Sequence, residues 1–194
     1  MNRRTRTALL GSALLLTVAA AAGSAGASAS DGSEREAVPA GVSVPGEGKR
    51  EAAALTGKAK LYRSAGDDIT FSFDAHLATK DKADPMKATG TFEWSHYLNG
   101  KGAWAKARVD CLVTGGKVAV VSGVVTATDL PGAKGTRVGI TVHDLGRHDR
   151  LGYSWATTED LGPKDLPKCV GSAPFEKVRK GTGDFTVVPW RPEL

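Results

Sequence analysis

Short runs of alternating apolar and polar residues fill the chain from about residue 57, and Gly, Pro, Asn and Asp separate them. The clearest run is 69–77, where Ile, Phe, Phe, Ala and Leu alternate with Thr, Ser, Asp and His. Such alternation is typical of a strand with one buried face. Residues 58–63 and 184–188 are weaker strand candidates. The pattern predicts an all-β domain.

The first predicted hairpin turns at Asn99-Gly100, a strong two-residue turn signal. This turn pairs Trp94 with Ala105, so that a large side chain lies opposite a small one on one face of the hairpin. On the other face it pairs Glu93 with Lys106. A slip of one residue would destroy both patterns, so we expect the register to be well specified.

Two more hairpins follow the first. One is predicted to turn at Gly115-Gly116, which places Val113 opposite Val118 and Cys111 opposite Val120. The other pairs the runs 138–143 and 150–155, with Val142 opposite Leu151. Sequential hairpins of this kind predict an antiparallel meander of about eight strands closed as a barrel, with a two-sheet sandwich as the alternative.

The strand from Val118 to Ala127 is apolar on both faces. If Cys111 faces the core, Leu112, Ala119, Val121 and Val125 lie on the opposite face. The long loop, a second sheet or a partner molecule would have to cover them. An uncovered apolar patch marks an interaction site, so these four residues are candidate interaction residues.

The N-terminus has the features of an export signal. Three arginines precede an apolar run at 8–22, and small residues with cleavage frames follow up to Ala29. Residues 1–29 are therefore predicted to be a signal peptide. Residues 30–56 have almost no large apolar side chains and are predicted to be a disordered linker. A single β domain is expected over 57–194, in a protein that is secreted, extracellular or in the cell envelope.

The charge balance argues against nucleic acid as a partner. Three of the 26 lysines and arginines, and none of the 21 acids, lie in the predicted signal, so the remaining chain has a formal charge of +2. The two signs alternate along it, whereas nucleic-acid-binding domains usually show a clustered basic face. No later segment has the apolar length of a membrane span. We therefore expect neither a nucleic-acid partner nor a membrane span.

The chain has two cysteines, Cys111 and Cys169. In an exported protein an even pair favours one structural disulfide. A nucleophilic or metal-binding thiol is the less favoured alternative.

Two carboxylates, Asp144 and Asp149, are expected to face each other at the base of the third hairpin's tip. Like charges that face each other are destabilising, so each carboxylate should have a partner that compensates for the repulsion. Each could accept backbone N–H bonds and shape the turn, which is the favoured interpretation. Alternatively the two could share a divalent cation, most plausibly calcium, which prefers oxygen ligands.

Exposed aromatic side chains are further candidates for interaction residues. Trp104 is predicted to lie on the face opposite Val109, and Tyr97 lies near the same hairpin tip. Either ring could stack on a sugar or anchor a partner. Burial under a second layer is the competing interpretation, and we favour it.

Several stretches together resemble a group of small exported actinobacterial proteins that often carry the label "repetin". The resemblance covers most of residues 68–190, and the stretches that carry it are Gly102–Ala105, Val109–Gly116, Val124–Pro131, Asp149–Trp155 and Pro167–Val170. The resemblance implies an exported protein. It names no activity, cofactor or active site.

The sequence carries no P-loop, G-x-G-x-x-G, H-E-x-x-H or G-x-S-x-G motif. This favours a secreted β-domain protein with a non-catalytic role in binding an unknown ligand or protein partner, without a cofactor. A secreted hydrolase whose site is assembled only in space is one alternative. A calcium-stabilised envelope module is the other.

Overall fold

The structure, a computed structural model, describes residues 51–154 and 166–191. The predicted signal peptide and residues 30–50 of the predicted linker lie outside them. The described residues form two short 3-10 turns, Thr79–Asp81 and Pro85–Lys87, and nine strands. The strands are β1 (Glu51–Lys60), β2 (Asp68–Ala78), β3 (Thr89–Leu98), β4 (Lys101–Gly115), β5 (Val118–Thr128), β6 (Arg137–His143), β7 (Arg150–Tyr153), β8 (Glu176–Lys177) and β9 (Asp184–Val188).

The nine strands form one antiparallel sheet in the order β8-β7-β6-β5-β4-β3-β2-β1-β9. The predicted all-β meander is confirmed, with nine strands instead of about eight. Closure into a barrel and the two-sheet alternative are both wrong, because this single sheet curls into a half-barrel whose edges are β8 and β9. The last strand returns to pair with β1 and leaves a seam between itself and the β6–β7 hairpin.

The seam is bridged at one end. An isolated antiparallel bridge joins Leu61, just beyond β1, to Val178, just beyond β8. Beside it the Tyr62 N–H donates to the Lys177 carbonyl at 2.7 Å. Edge strands expose unpaired backbone groups, and these contacts satisfy some of them.

Strand β1 begins inside the predicted linker. It starts at Glu51, and Ala53, Ala54 and Leu55 are buried. β1 is an inner strand of the sheet: β2 lies on one side, with Leu55 opposite Ala75, and β9 lies on the other. Because both neighbours cover β1, even its small side chains are buried. The sheet therefore begins six residues before the predicted domain boundary at residue 57.

Two of the three predicted hairpin registers agree with the structure. In the first, Trp94 lies opposite Ala105 and Glu93 opposite Lys106. In the third, Val142 lies opposite Leu151. The alternating run 69–77 is strand β2, and its five apolar residues are all buried.

The second hairpin departs from its predicted register. Val113 lies opposite Val120 instead of Val118, because β4 continues through Gly115 and the turn falls at Gly116 and Lys117. The ladder also shifts between Lys106 and Ala107 and again between Val109 and Cys111. A bulge inserts one residue into a strand and so reverses which side chains face inward.

This reversal overturns one set of predicted interaction residues. Leu112, Ala119, Val121 and Val125 are at most 1% exposed and belong to the hydrophobic core. The prediction placed them outside because it carried the alternation of β4 through Asp110 without a bulge. A partner has no access to them in the folded protein.

The interior of the curl is filled by aromatic side chains. Phe71, Phe73, Phe92 and Phe185 are at most 4% exposed, and the rings of Phe73 and Phe185 meet edge to face with centroids 5.2 Å apart. Burying each such side chain stabilises the fold by about 1.5–3 kcal/mol. With the interior occupied, binding residues are to be sought on the outer surface and along the seam.

Candidate functional site

Cys111 and Cys169 form a disulfide, as predicted, with their Cα atoms 5.4 Å apart. The Cys169 backbone has a φ of 60°, a left-handed conformation that is uncommon for residues other than glycine. Its N–H donates to the buried Ser122 hydroxyl at 3.0 Å. Both bonds hold the segment that follows residue 166 against the sheet.

A buried acid–base pair fastens the same segment. The Asp110 carboxylate accepts hydrogen bonds from the Ser122 hydroxyl and from the Arg137 Nε, each at 2.7 Å. Arg137 Nη1 in turn donates to the Leu166 carbonyl at 3.0 Å. A buried charge is tolerable when it is paired and hydrogen-bonded, as here. The network therefore anchors the segment to strands β4, β5 and β6.

The two carboxylates of the third hairpin replace a missing strand partner for β9. Asp149 is fully buried, and its oxygens accept the N–H groups of Leu145 at 2.7 Å and Phe185 at 2.8 Å. Asp144 accepts those of Gly146 at 3.1 Å and Val187 at 3.2 Å. Phe185 and Val187 are alternate residues of β9, so their N–H groups point to the same edge of the strand. The two aspartate side chains therefore bind that free edge of β9 to the hairpin.

Burial raises the pKa of Asp149 to about 6, and the nearby Asp184 carboxylate adds to this rise. The N–H groups of Phe185 and Leu145 oppose it by stabilising the ionised form. The hairpin base thus contains a carboxyl group whose charge changes in the mildly acidic range.

All four carboxylate oxygens of Asp144 and Asp149 accept backbone N–H groups. This is the geometry of the turn-shaping interpretation. Among the described residues, no group of three or more His, Cys, Asp or Glu side chains is arranged to hold a metal ion. Calcium binding here stays a prediction.

A cavity of about 650 Å³ lies over the bridged seam, and we call it the basic groove. Tyr62, 59% exposed, forms part of its wall. Its basic lining residues are Arg147, His148, Arg150, Lys177, Arg179 and Lys180. They come from the tip of the β6–β7 hairpin, the start of β7, the end of β8 and the segment after β8.

The fold brings these two basic segments together where β7 pairs with β8, with Arg150 opposite Lys177, and through contacts of Asp149. Asp149 turns its side chain inward, whereas His148, in the turn before it, is exposed and Arg150, the first residue of β7, is half-buried. The Asp149 carbonyl accepts the Val178 N–H at 3.0 Å, which fastens the hairpin to the second basic segment. The cations of both segments then line one groove.

The cations of the groove lack the partners that basic residues elsewhere have. Lys60 pairs with Asp68, Arg63 with Glu176 and Lys106 with Glu93; the joined atoms are 2.6–2.7 Å apart. In contrast, no carboxylate of the described chain lies within ion-pair distance of the cations of the groove, which are those at 147, 150, 177, 179 and 180. The groove is therefore a local concentration of positive charge whose cations make no direct ion pair within the described chain. Arg179 acts on one carboxyl from a greater distance, since it adds to the lowering of the pKa of Asp68 that the Lys60 hydrogen bond mainly causes.

Sequence reasoning missed this groove because its two basic segments are about thirty residues apart. The alternation of signs along the chain hid it as well, since the acid at 149 is turned inward. The signal that was present is Lys177, Arg179 and Lys180, a short basic run beside a strand candidate.

The two predicted aromatic residues lie on the outer surface. Trp104 is 40% exposed, and Tyr97 is half-buried on the neighbouring strand. Ser95 lies directly opposite Trp104. The structure thus keeps these two candidates available, at a different place from the basic groove.

His76 lies between two carboxylates. Its Nδ1 is 2.6 Å from Glu51 Oε1 and its Nε2 is 2.8 Å from Asp74 Oδ1. Burial lowers the pKa of His76, but the two carboxylates outweigh burial and raise it above its usual value. Both ring nitrogens donate at once only in the charged imidazolium, so His76 acts here as a cation that joins β1 to β2.

No protein-family model matches the chain, and comparisons with curated proteins and with solved structures gave no match either. In the part of the chain that the structure describes, no helix has the length and apolarity to cross a bilayer. The function is therefore to be argued from the sites themselves.

Proposed function

We propose that the protein is a secreted, non-catalytic binding module whose basic groove takes an anionic ligand. The observation that carries the proposal is the groove itself: five Lys and Arg side chains line one cavity of about 650 Å³. The disulfide is compatible with export to an oxidising compartment, where a binding role at the cell envelope would be exercised.

The chemistry of the lining favours a ligand with several negative groups. Arginine presents a planar fork of donors that matches phosphate and carboxylate oxygens in pairs, and lysine adds point charges. The Arg150 guanidinium is already positioned by a hydrogen bond of 3.3 Å to the Phe175 carbonyl. A concave site lined by one sign of charge also concentrates counter-ions from solution. A polyanion such as an acidic envelope polymer meets these requirements.

The test is a binding titration of the purified full chain with linear inorganic polyphosphate and with polygalacturonate. Both should bind, and the affinity should fall as salt is added. The double variant Arg147→Gln/Arg179→Gln should weaken binding about tenfold or more, since each lost contact contributes on the order of 1 kcal/mol.

The matched control is Lys101→Gln/Lys134→Gln. It removes the same net charge from two exposed positions outside the groove and should change the affinity less than about twofold. Equal losses in the two double variants would reduce the binding to net charge and overturn the proposal. Tighter binding of a DNA duplex than of either polymer would replace it with a nucleic-acid function.

A further inference from the structure

A second surface, on the outer face of β2, β3 and β4, carries two aromatic side chains. Trp104 lies opposite Ser95, and Tyr97 lies opposite Gly102 two residues further along β3, so both rings are on one face. Diagonal neighbours in a sheet are about 7–8 Å apart, close enough for one short chain to reach both. Among the described residues neither ring contacts another aromatic ring.

The backbone beneath Trp104 is held rigidly. Its N–H donates to the Asp129 carboxylate at 2.7 Å, and its carbonyl accepts the Thr128 hydroxyl at 2.7 Å. Thr128 is held too, because its hydroxyl oxygen also accepts the Leu130 N–H at 2.9 Å. A backbone that is ordered before binding reduces the entropy that is lost when its side chain anchors a ligand.

Beside the indole lies a shallow cavity of about 120 Å³ with a polar floor. Its lining includes three residues that carry hydroxyl groups, Thr70, Ser72 and Ser95, together with Lys58, Glu93 and Trp94. The two charged residues of its lining, Lys58 and Glu93, have opposite signs, so the charges here balance, in contrast to the basic groove. We name this surface the tryptophan shelf.

We propose that the tryptophan shelf binds an uncharged, β-linked pyranose chain. The apolar C–H face of one sugar stacks on Trp104, and a neighbouring sugar meets Tyr97. The sugar hydroxyls hydrogen-bond with Ser72 and Ser95 on the floor. Balanced charge favours a neutral glycan over a polyanion. This site is independent of the basic groove.

The test is a titration of the purified full chain with chitohexaose, cellohexaose and, as an α-linked comparison, maltohexaose. Binding is followed by tryptophan fluorescence and calorimetry. At least one β-linked hexaose should bind saturably and more tightly than maltohexaose. Trp104→Ala should weaken this binding about tenfold or more, and Tyr97→Ala should weaken it less.

The matched control is Trp190→Ala, because Trp190 is also 40% exposed but lies against Lys82, away from the shelf. It should leave the affinity unchanged, as should Arg147→Gln/Arg179→Gln, which separates this proposal from the one for the groove. If Trp104→Ala does not fold, Ser95→Glu places a charge on the floor and should block binding instead. Absence of saturable binding to every hexaose, or unchanged affinity in both shelf variants, would overturn the proposal.

Discussion

The seam between β9 and the β6–β7 hairpin depends on the buried carboxylate of Asp149. Its two oxygens accept the N–H groups of Leu145 and Phe185. In Asp149→Asn the side chain keeps one acceptor oxygen, and its amide NH2 faces the second N–H. A buried donor left without an acceptor costs about 1–3 kcal/mol. We expect the variant to lose that much free energy of unfolding near neutral pH.

The loss should grow on acidification. Burial raises the pKa of Asp149 from 3.8 to about 6, so between these values the folded protein binds its proton more tightly than the unfolded chain does. The wild type is therefore stabilised by this group as the pH falls through about 6. From about pH 7 to about pH 4.5 the gain is about 2 kcal/mol. Asparagine does not titrate, so the difference in free energy of unfolding between the wild type and the variant should widen to about 3–5 kcal/mol at about pH 4.5.

The assay is urea unfolding of the wild type and the variant at both pH values, followed by tryptophan fluorescence. Asp144→Asn is the matched control. Its hydrogen bonds to Gly146 and Val187 are longer, at 3.1 and 3.2 Å, and we expect a smaller loss. If the loss of unfolding free energy in Asp149→Asn is the same at both pH values, or is smaller at the lower pH, the reasoning is refuted.

Three further predictions concern the disulfide, the bulged strand and the charged histidine. Reduction of Cys111–Cys169 frees a 59-residue loop and should lower the free energy of unfolding by about 4 kcal/mol, measured with and without reductant. Leu112→Ala should destabilise by about 2–5 kcal/mol and Val113→Ala by less than about 0.5 kcal/mol in urea unfolding, because the first is 1% and the second 43% exposed. Equal losses would contradict the bulge. His76 has a raised pKa, so its ion pairs stabilise the fold below the unfolded pKa of 6.5, and this contribution is lost as the pH rises through the folded value. Thermal melts of His76→Asn should therefore show a larger loss at about pH 5.5 than at about pH 8.5, and the reverse order would contradict this account.

The parts of the fold that follow from local signals could be predicted from the sequence. Strand β2 follows from strict alternation over 69–77, and the first hairpin follows from Asn99-Gly100. The third hairpin follows from two alternating runs that pair at Val142 and Leu151. In each case the residues that decide the register lie within about fifteen positions of one another.

The bulge near Asp110 depends on contacts that local alternation does not show. There the carboxylate meets Arg137, a residue 27 positions away, and Ser122. Those bonds hold the Asp110 side chain on the outer face, as strict alternation also would, but the bulge then reverses the facing of the residues that follow. One inserted residue then moves Leu112 from the predicted surface into the core.

The basic groove also depends on the seam and not on any one segment. Arg147 and Arg179 are remote in sequence, and their segments meet through the pairing of β7 with β8 and the hydrogen bond from the Val178 N–H to the Asp149 carbonyl. The disulfide could be predicted because a chain that has two cysteines and is expected to be exported has one possible intramolecular pairing. No comparable feature of the sequence limited where the basic residues of the groove would lie in the fold.

The central claim is that the basic groove is the place where an anionic ligand binds. The most direct measurement is a series of 1H–15N correlation spectra of the full chain titrated with linear inorganic polyphosphate. We predict that the largest amide shifts fall at 145–150 and 177–180. Shifts spread evenly over remote lysines such as Lys58, Lys101 and Lys134, with no concentration in those two segments, would contradict it.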